Sequence, residues 1–411
     1  MTTPTYILGG WQSDFAKAWS RNGQDISDMV REATLSALHD ACIEPAAVQS
    51  IHVGNAFAEL QRGQAHLGSM VAQMVPGLWG VPAMRHEGAC ASASLAVLTA
   101  MAEIEAGRYD CVLVLGAEEL KNLPGDQSSI NQNAAAWQGH EDIDCRFMWP
   151  AAFGLMAQEY ERRYGLNRAH LNRIAEINYR NAKRNPNAQT RKWNFEPGAF
   201  TDDDELNPVI EPGTRRQDCG QITDGAAALV LAGPRFAAAH ATRLGLRMEQ
   251  LPRILGWGHH NAPLRLKDKL AQSADQPYVF PHVRQTITDA FSRAGLADVH
   301  QLDGIETHDC FTTTEYMAID HFGLTPPGQS WQAVESGLID FGGRLPVNPS
   351  GGLIGGGHPV GATGARMLLD AARQVTGRAG EYQVDGARTF ATLNIGGSCA
   401  TVCSFVVGVR A

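Results

Sequence analysis

The 411-residue chain reads as an α/β protein made of two copies of one unit, with a polar segment inserted in the first copy. Three observations predict this. Short apolar runs such as Asp110-Cys-Val-Leu-Val-Leu-Gly116 have the length and composition of strands buried on both faces of a parallel sheet. Amphipathic helical stretches separate these runs, the alternation expected of α/β architecture. Five elements of the first half then recur, in the same order, in the second.

Taken in order, Tyr6-Ile-Leu-Gly-Gly is a first strand. Ser27 is the expected N-cap of a helix through Ala41, apolar at Met29, Val30, Ala33 and Leu38. Gln49-Ser-Ile-His-Val-Gly is the next strand. Glu87-Gly-Ala-Cys-Ala-Ser feeds Cys90 into the first turn of a small-residue helix that Gly107 ends. The polar stretch that follows Glu118 holds helices near 151–164 and 169–184, and Thr223-Asp-Gly-Ala-Ala-Ala-Leu-Val-Leu restores a core strand. In the second half Val283–Phe291 matches Val30–Leu38, and Gly304–Phe311 matches Ser50–Phe57. The helix after Gly361 matches the Cys90 helix. Thr392–Gly397 and Cys403–Val407 echo Val112–Ala117 and Ala228–Ala232. The expected units are 1–118 with 221–250, an insert at 119–220, and a second half at 251–411.

Composition limits the function. A net charge of −9 argues against a nucleic-acid or anionic-membrane partner. Eight cysteines without a Cys-x-x-Cys pair suit reduced thiols in a cytoplasmic protein. No apolar window is long enough to span a bilayer. The first residues do not read as a signal peptide and Val409-Arg-Ala is not a peroxisomal address.

Four loops carry chemistry. A thiol at a helix N-terminus sits beside unpaired N–H groups, which favour its nucleophilic thiolate form. Val347-Asn-Pro-Ser-Gly-Gly-Leu-Ile-Gly-Gly-Gly-His-Pro holds His358 in extended geometry before a helix, suited to proton transfer or carbonyl polarisation. Its glycines fit neither phosphate-loop spacing. Ser350, Gly351 and Gly357 of this loop are the expected substrate contacts. Glu306-Thr-His-Asp-Cys places His308 and Cys310 at a strand end, and Asn394-Ile-Gly396 offers backbone N–H groups to an oxyanion. Duplication makes these loops converge at the interface of the two halves. His259-His260 reads as a solvated loop rather than a metal site, and no metal is expected. Arg191-Lys-Trp reads as solvated surface, and 126–139 as a loop lining the substrate site.

The set Cys90-Ala-Ser, His308-Asp-Cys-Phe, Gly357-His-Pro and Asn394-Ile-Gly resembles the four active-site loops of thiolases. It is most similar to the sterol-carrier-protein type, whose second loop reads His-Asp-Cys-Phe. The resemblance extends to Tyr179-Arg-Asn-Ala-Lys-Arg-Asn-Pro and Thr223-Asp-Gly-Ala. It implies a five-layer αβαβα thiolase fold with an inserted loop domain, acyl-CoA substrates, and a homodimer or homotetramer. Coenzyme A would be a substrate, with no cofactor. It also implies roles: Cys90 as acyl carrier, His358 as its base, Cys310 as second acid/base, and His308 with His358 polarising the acceptor thioester. The backbone N–H groups of Cys90 and Gly396 would form the oxyanion hole. Two departures stand out. Asn394 occupies a position where most thiolases carry a catalytic cysteine, which leaves Cys310 as the second thiol and Cys399 as a core-strand residue. The glycine run before His358 also lacks the lysine common there. Two other readings remain open: a ketoacyl synthase, and a non-catalytic acyl-CoA-binding subunit working with a small OB-fold partner.

Overall fold

A computed structural model of the chain describes residues 3–409. Met1, Thr2, Arg410 and Ala411, read above for targeting signals, lie outside the described residues. The strands are β1 (Thr5–Gln12), β2 (Ser50–Gly54), β3 (Ala83–His86), β4 (Cys111–Glu118), a small hairpin β5 (Val209–Glu211) and β6 (Thr214–Arg215), β7 (Gly225–Ala232), β8 (Arg253–Asn261), β9 (Gly304–Thr307), β10 (Thr389–Gly396) and β11 (Thr401–Gly408).

All but the hairpin join in the order β3-β2-β4-β7-β1-β8-β11-β10-β9. The first five belong to one half and the last four to the other. Val347 makes a parallel bridge to Ile305 of β9 and so stands where β3 stands in the first half. The halves meet where β1 and β8 pair antiparallel, at Thr5–Ile254 and Tyr6–Arg253. The expected parallel sheet is in fact mixed. β4 is parallel to β2 but antiparallel to β7; its two-sided burial comes from helices on both faces, whichever way the neighbour runs.

Five layers follow from which side chains share a core. The Ile26–Asp40 helix covers the outer face of the first half-sheet. The Ser92–Glu105 and Thr363–Val375 helices fill the space between the half-sheets, with Ala96, Val97 and Ala100 against Leu368, Leu369 and Ala372. The Pro281–Ala294 and Thr312–Phe322 helices cover the far side. Ser27 does not cap the first helix. Asp25 does so, accepting the Ser27 N–H at 2.8 Å, while Asp28 closes the capping box at 3.0 Å. The Ser27 hydroxyl itself donates to the Asp25 carboxylate at 2.6 Å, so it supports the cap instead of forming it.

The segment between β4 and β7 carries the helices Gly125–Gln132, Met148–Tyr164 and Arg168–Ala182. It lies over the second half and shares its outer core. Phe153 stacks on Phe311 at 4.4 Å, and the Tyr160 hydroxyl donates to Asp320 at 2.9 Å. Apolar burial of that kind, worth about 2 kcal/mol per large side chain, fixes the insert as a wall of the site.

His259 and His260 are not in a loop. They lie in β8, paired with Cys403 and Val402. Among the described residues no helix is long and apolar enough to cross a membrane.

Candidate active site

β3 runs into Glu87-Gly88, and Ala89 takes a left-handed φ of 51° before a 3₁₀ turn, Ala89–Ala91, delivers Cys90 to the Ser92–Glu105 helix. The end of β10 approaches this turn closely. A Cβ on Gly396 would lie 2.2 Å from the Gly88 carbonyl oxygen, so only glycine lets the second half reach the cysteine loop. Cys90 Sγ lies 3.3 Å from His358 Nε2. The Sγ and the imidazole nitrogens of His308 and His358 lie within 4.8 Å of one another. Among the described residues this is the grouping whose ligand atoms are close enough to hold a metal, but the 3.3 Å separation is that of a hydrogen bond.

The hydrogen bonds give the two imidazoles opposite roles. Thr363 Oγ1 donates to the Pro359 carbonyl at 3.1 Å, so it accepts from His358 Nδ1–H at 2.8 Å. His358 Nε2 is then a lone pair facing the thiol. The His358 backbone N–H is held by Thr223 Oγ1 at 2.9 Å. His308 is reversed. Asn394 Oδ1 accepts from Ser94 Oγ at 2.7 Å, which aims the Asn394 amide NH₂ at His308 Nδ1, 3.1 Å away. His308 Nε2 therefore carries the hydrogen, is buried and has no hydrogen-bond partner among the described residues. One histidine presents a base and the other an N–H donor.

Burial dominates the electrostatics. It pushes the Cys90 thiol up to about 12, against hydrogen bonds from the Gly397 N–H and its own N–H. It pulls His358 down to about 3 and His308 well below the usual imidazole range. The resting pair is neutral thiol and neutral imidazole. The helix N-terminus does not produce a standing thiolate, because desolvation outweighs the dipole.

Cys90, Cys310 and His358 line one cavity of about 390 Å³. Its wall is apolar: Phe57, Leu120, Ile222, Phe311 and Val360 from the two halves, Phe147, Trp149 and Phe153 from the insert. Gly125, Asp126, Ser129, Gln132 and Ala135 also line it; the 126–139 stretch, expected as a loop, opens as the Gly125–Gln132 helix and a 3₁₀ turn. Cys310 is 6% exposed, and burial followed by the neighbouring Cys90 raises its thiol well above the usual value. A larger cleft of about 770 Å³ lies at the β1–β8 junction, lined by Leu369–Thr376 residues at the other end of the His358 helix, and contains no cysteine.

Several expected residues sit elsewhere. Gly397, one residue past Gly396, supplies the N–H that bonds the Cys90 sulphur. Asn394 contributes its side-chain amide, not its backbone. Ser350, Gly351 and Gly357 do not line the cavity. Ser350 is fully buried and donates to Glu306 at 2.6 Å, and Gly351 packs on Ala182. Gly357, at φ 112°, lies against Thr223, Gln189 and Phe15. The loop is glycine-rich because it threads buried space, where Asp309 takes the N–H groups of Leu353 at 2.6 Å and Ile354 at 3.2 Å. Cys399 is buried but in the turn between β10 and β11, at φ 62°, rather than in a strand. Arg191 is spent on Asp14, at 2.7 Å to each carboxylate oxygen. Thr363, Ser94 and Thr223 escaped the sequence reading as site residues, while Gly397 fell within the Asn394-Ile-Gly-Gly stretch read as a source of backbone N–H groups. The hydroxyl five residues after His358 was the one available signal, since a side chain at a helix start reaches back into the preceding loop.

Comparison with known proteins follows this geometry. Residues 6–234 match the thiolase N-terminal domain, and residues 266–409 match the thiolase C-terminal domain-like family. An acetyl-CoA acetyltransferase of Methanothermobacter thermautotrophicus is 31% identical over 409 residues, covering 96% of this chain and 97% of that protein. Sterol carrier protein 2 of Rattus norvegicus is 29% identical over 419 residues, 98% of this chain and 72% of that protein. A solved Ltp2-ChsH2(DUF35) aldolase shares the fold at a TM-score of 0.77 with 20% identity, covering 99% of this chain and 98% of that one. By its two matched domains and by full-length relatives, the chain belongs to the thiolase family.

Proposed function

We propose that the protein is an acyl-CoA C-acyltransferase that works through a Cys90 thioester, cleaving a 3-ketoacyl-CoA with coenzyme A or running the reverse Claisen condensation. The observation that carries this reading is the 3.3 Å contact from Cys90 Sγ to a His358 Nε2 freed as acceptor by Thr363. In thiolysis the sulphur adds to the 3-keto carbon as His358 takes the thiol proton. The C2–C3 bond breaks, the acyl group stays on Cys90, and the C2 carbanion of the leaving acetyl-CoA takes a proton from Cys310. The thiol of a second coenzyme A gives its proton to the Cys310 thiolate and attacks the Cys90 thioester, and His358 returns its proton to the departing Cys90 sulphur. A thioester intermediate has about the energy of acyl-CoA, so the sequence runs both ways. The Cys90 and Gly397 N–H groups serve the acyl-enzyme oxyanion, each worth about 3 kcal/mol. The His308 N–H serves the oxygen of the acceptor thioester.

The apolar wall supports acyl groups larger than acetyl. The name of the archaeal relative supports acetyl-CoA as one reactant. Eight free thiols support a reducing, cytoplasmic setting. Among the described residues β3 ends the sheet with its outer edge unpaired, next to Trp79 and Met84, which are 69% and 42% exposed. That edge is where a second copy would pair in a homodimer. The DUF35 component of the aldolase structure supports a small partner protein.

The test is incubation with acetyl-CoA followed by mass spectrometry, then thiolysis across short, long and polycyclic 3-ketoacyl-CoA substrates. An acetyl group on Cys90, absent in Cys90→Ala, together with CoA-dependent thiolysis is expected. A chain that binds acyl-CoA yet takes no acetyl group is a binding subunit instead.

A further inference from the structure

The turn that presents Gly397 is held from behind by a buried lysine. Gly397 and Cys399 both take left-handed φ, 58° and 62°. For cysteine that conformation costs about 1 kcal/mol or more, and it persists where surroundings enforce it. Two side chains do so. The His282 Nε2–H donates to the Cys399 carbonyl at 2.8 Å. Lys269, on the Leu266–Gln272 helix and 3% exposed, spends its three donors on the Pro263 carbonyl at 2.8 Å, the Leu264 carbonyl at 2.8 Å and Ser398 Oγ at 2.9 Å. All three acceptors are neutral, and among the described residues Lys269 forms no ion pair. Burial lowers its ammonium to about 8.

A buried ammonium is a costly way to fill space, since an apolar side chain of similar volume avoids the desolvation. What an apolar chain cannot do is tie residues 263–264 to Ser398. Leu264, Gly397, Gly88 and Ala89 border one small cavity of about 250 Å³, so the tripod braces the turn on the side facing the cysteine loop. We propose that Lys269 is a positioning residue for acyl transfer: through Ser398 it fixes the 397–400 turn so that the Gly397 N–H points at the Cys90 sulphur and the acyl oxygen. The inference rests on the acyltransfer reading above.

Two rates in the full chain test it. Acetyl transfer from acetyl-CoA to Cys90 needs the oxyanion hole, whereas alkylation of Cys90 by iodoacetamide displaces iodide at a saturated carbon and forms no oxyanion. Lys269→Met and Ser398→Ala are each expected to slow acetyl transfer about 10- to 100-fold, the scale of a misplaced donor, while alkylation, which loses only the Gly397 hydrogen bond to the thiolate, slows by about fivefold at most. Ser398→Ala keeps the test open where Lys269→Met does not fold, because it leaves the ammonium on both carbonyls. Equal losses in both rates overturn the proposal, as that is the mark of general loosening. Unchanged acetyl transfer in Ser398→Ala also overturns it. A wild-type chain that takes no acetyl group fails the acyltransfer reading itself, and this inference with it.

Discussion

The two central helices begin in the same manner and end up with different work. Each follows a short 3₁₀ turn and opens on a hydroxyl residue, Ser92 in the first half and Thr363 in the second. Ser92 donates back to the Ala89 carbonyl at 2.6 Å and accepts the Gly88 N–H at 3.1 Å. Thr363 makes the same backward bond to Pro359 but spends its lone pair on His358. The backbone N–H groups ahead of the helices differ more. Ahead of the first helix the Ala89 N–H is taken by the Glu87 carboxylate at 2.6 Å, which leaves the N–H of Cys90, a residue that lines the cavity. The corresponding Gly361 N–H is filled by the Glu118 carboxylate at 2.9 Å, which also accepts from the Ala56 N–H at 2.9 Å, the Phe57 N–H at 3.1 Å and the Asn55 amide at 2.9 Å. A duplicated fold offers two anion-binding helix starts. In the proposed reaction the first serves a substrate oxyanion; the other is plugged by the protein's own carboxylate, so the two starts are not equivalent.

Substitutions on both sides of that contrast break or sharpen it. Cys310→Ala removes the thiol proposed as second acid/base. Turnover should fall roughly 10³-fold, within the range for general acid–base groups, while mass spectrometry still finds acetyl on Cys90; loss of the adduct as well would merge the two thiols into one role. Glu118→Ala unplugs the other side and leaves four donors without a partner. Unfolding in urea should show about 3 kcal/mol less stability, and a loss under about 1 kcal/mol would mean water replaces the carboxylate.

A third prediction concerns protonation. Because burial holds the Cys90 thiol near 12 and His358 near 3, neither titrates between pH 5 and pH 9. Thiolate is then the minor form throughout, growing tenfold per pH unit, and iodoacetamide alkylation should rise about 100-fold from pH 7 to pH 9. A plateau across that interval would show a standing thiolate–imidazolium pair. The smallest effect belongs to Thr363→Val, which frees the His358 ring without touching substrate. A drop of about tenfold in kcat with KM unchanged is expected, and a change in KM alone would place Thr363 in binding.

The sequence was most legible where chemistry demands a rare residue at a loop. Cys90, Cys310, His308 and His358 stand in one cluster because the repeat brings four strand ends together. Side chains that act through others were less legible. Thr363, Ser94 and Asn394 do their work by fixing tautomers, and a hydroxyl or amide has many ordinary reasons to sit at a helix start or strand end. Ser350 and Gly351 misled for the opposite reason. Glycine-rich loops suggest a ligand, yet here the backbone threads past Ala182 and the buried Glu306–Arg366 pair, 2.9 Å apart. Glu118 carried no local signal at all, since its partners are 61–63 residues upstream and 243 residues downstream; charge buried by long-range donors is visible only once the chain is folded.

The position of β1 bears on how the molecule is made. It is the middle strand of the nine, with Tyr6 and Leu8 in one core layer and Ile7 in another. Its neighbours, β7 and β8, begin at residues 225 and 253. On a ribosome adding roughly 5–20 residues per second, the first strand synthesised waits about 10–40 s for anything to pair with. Asn394, which sets the proton on His308, emerges later still. Assembly is therefore dominated by distant contacts and is slow by topology. A chain interrupted before β10 has Cys90 and His358 but neither the Asn394 amide nor the Gly397 turn that complete their surroundings.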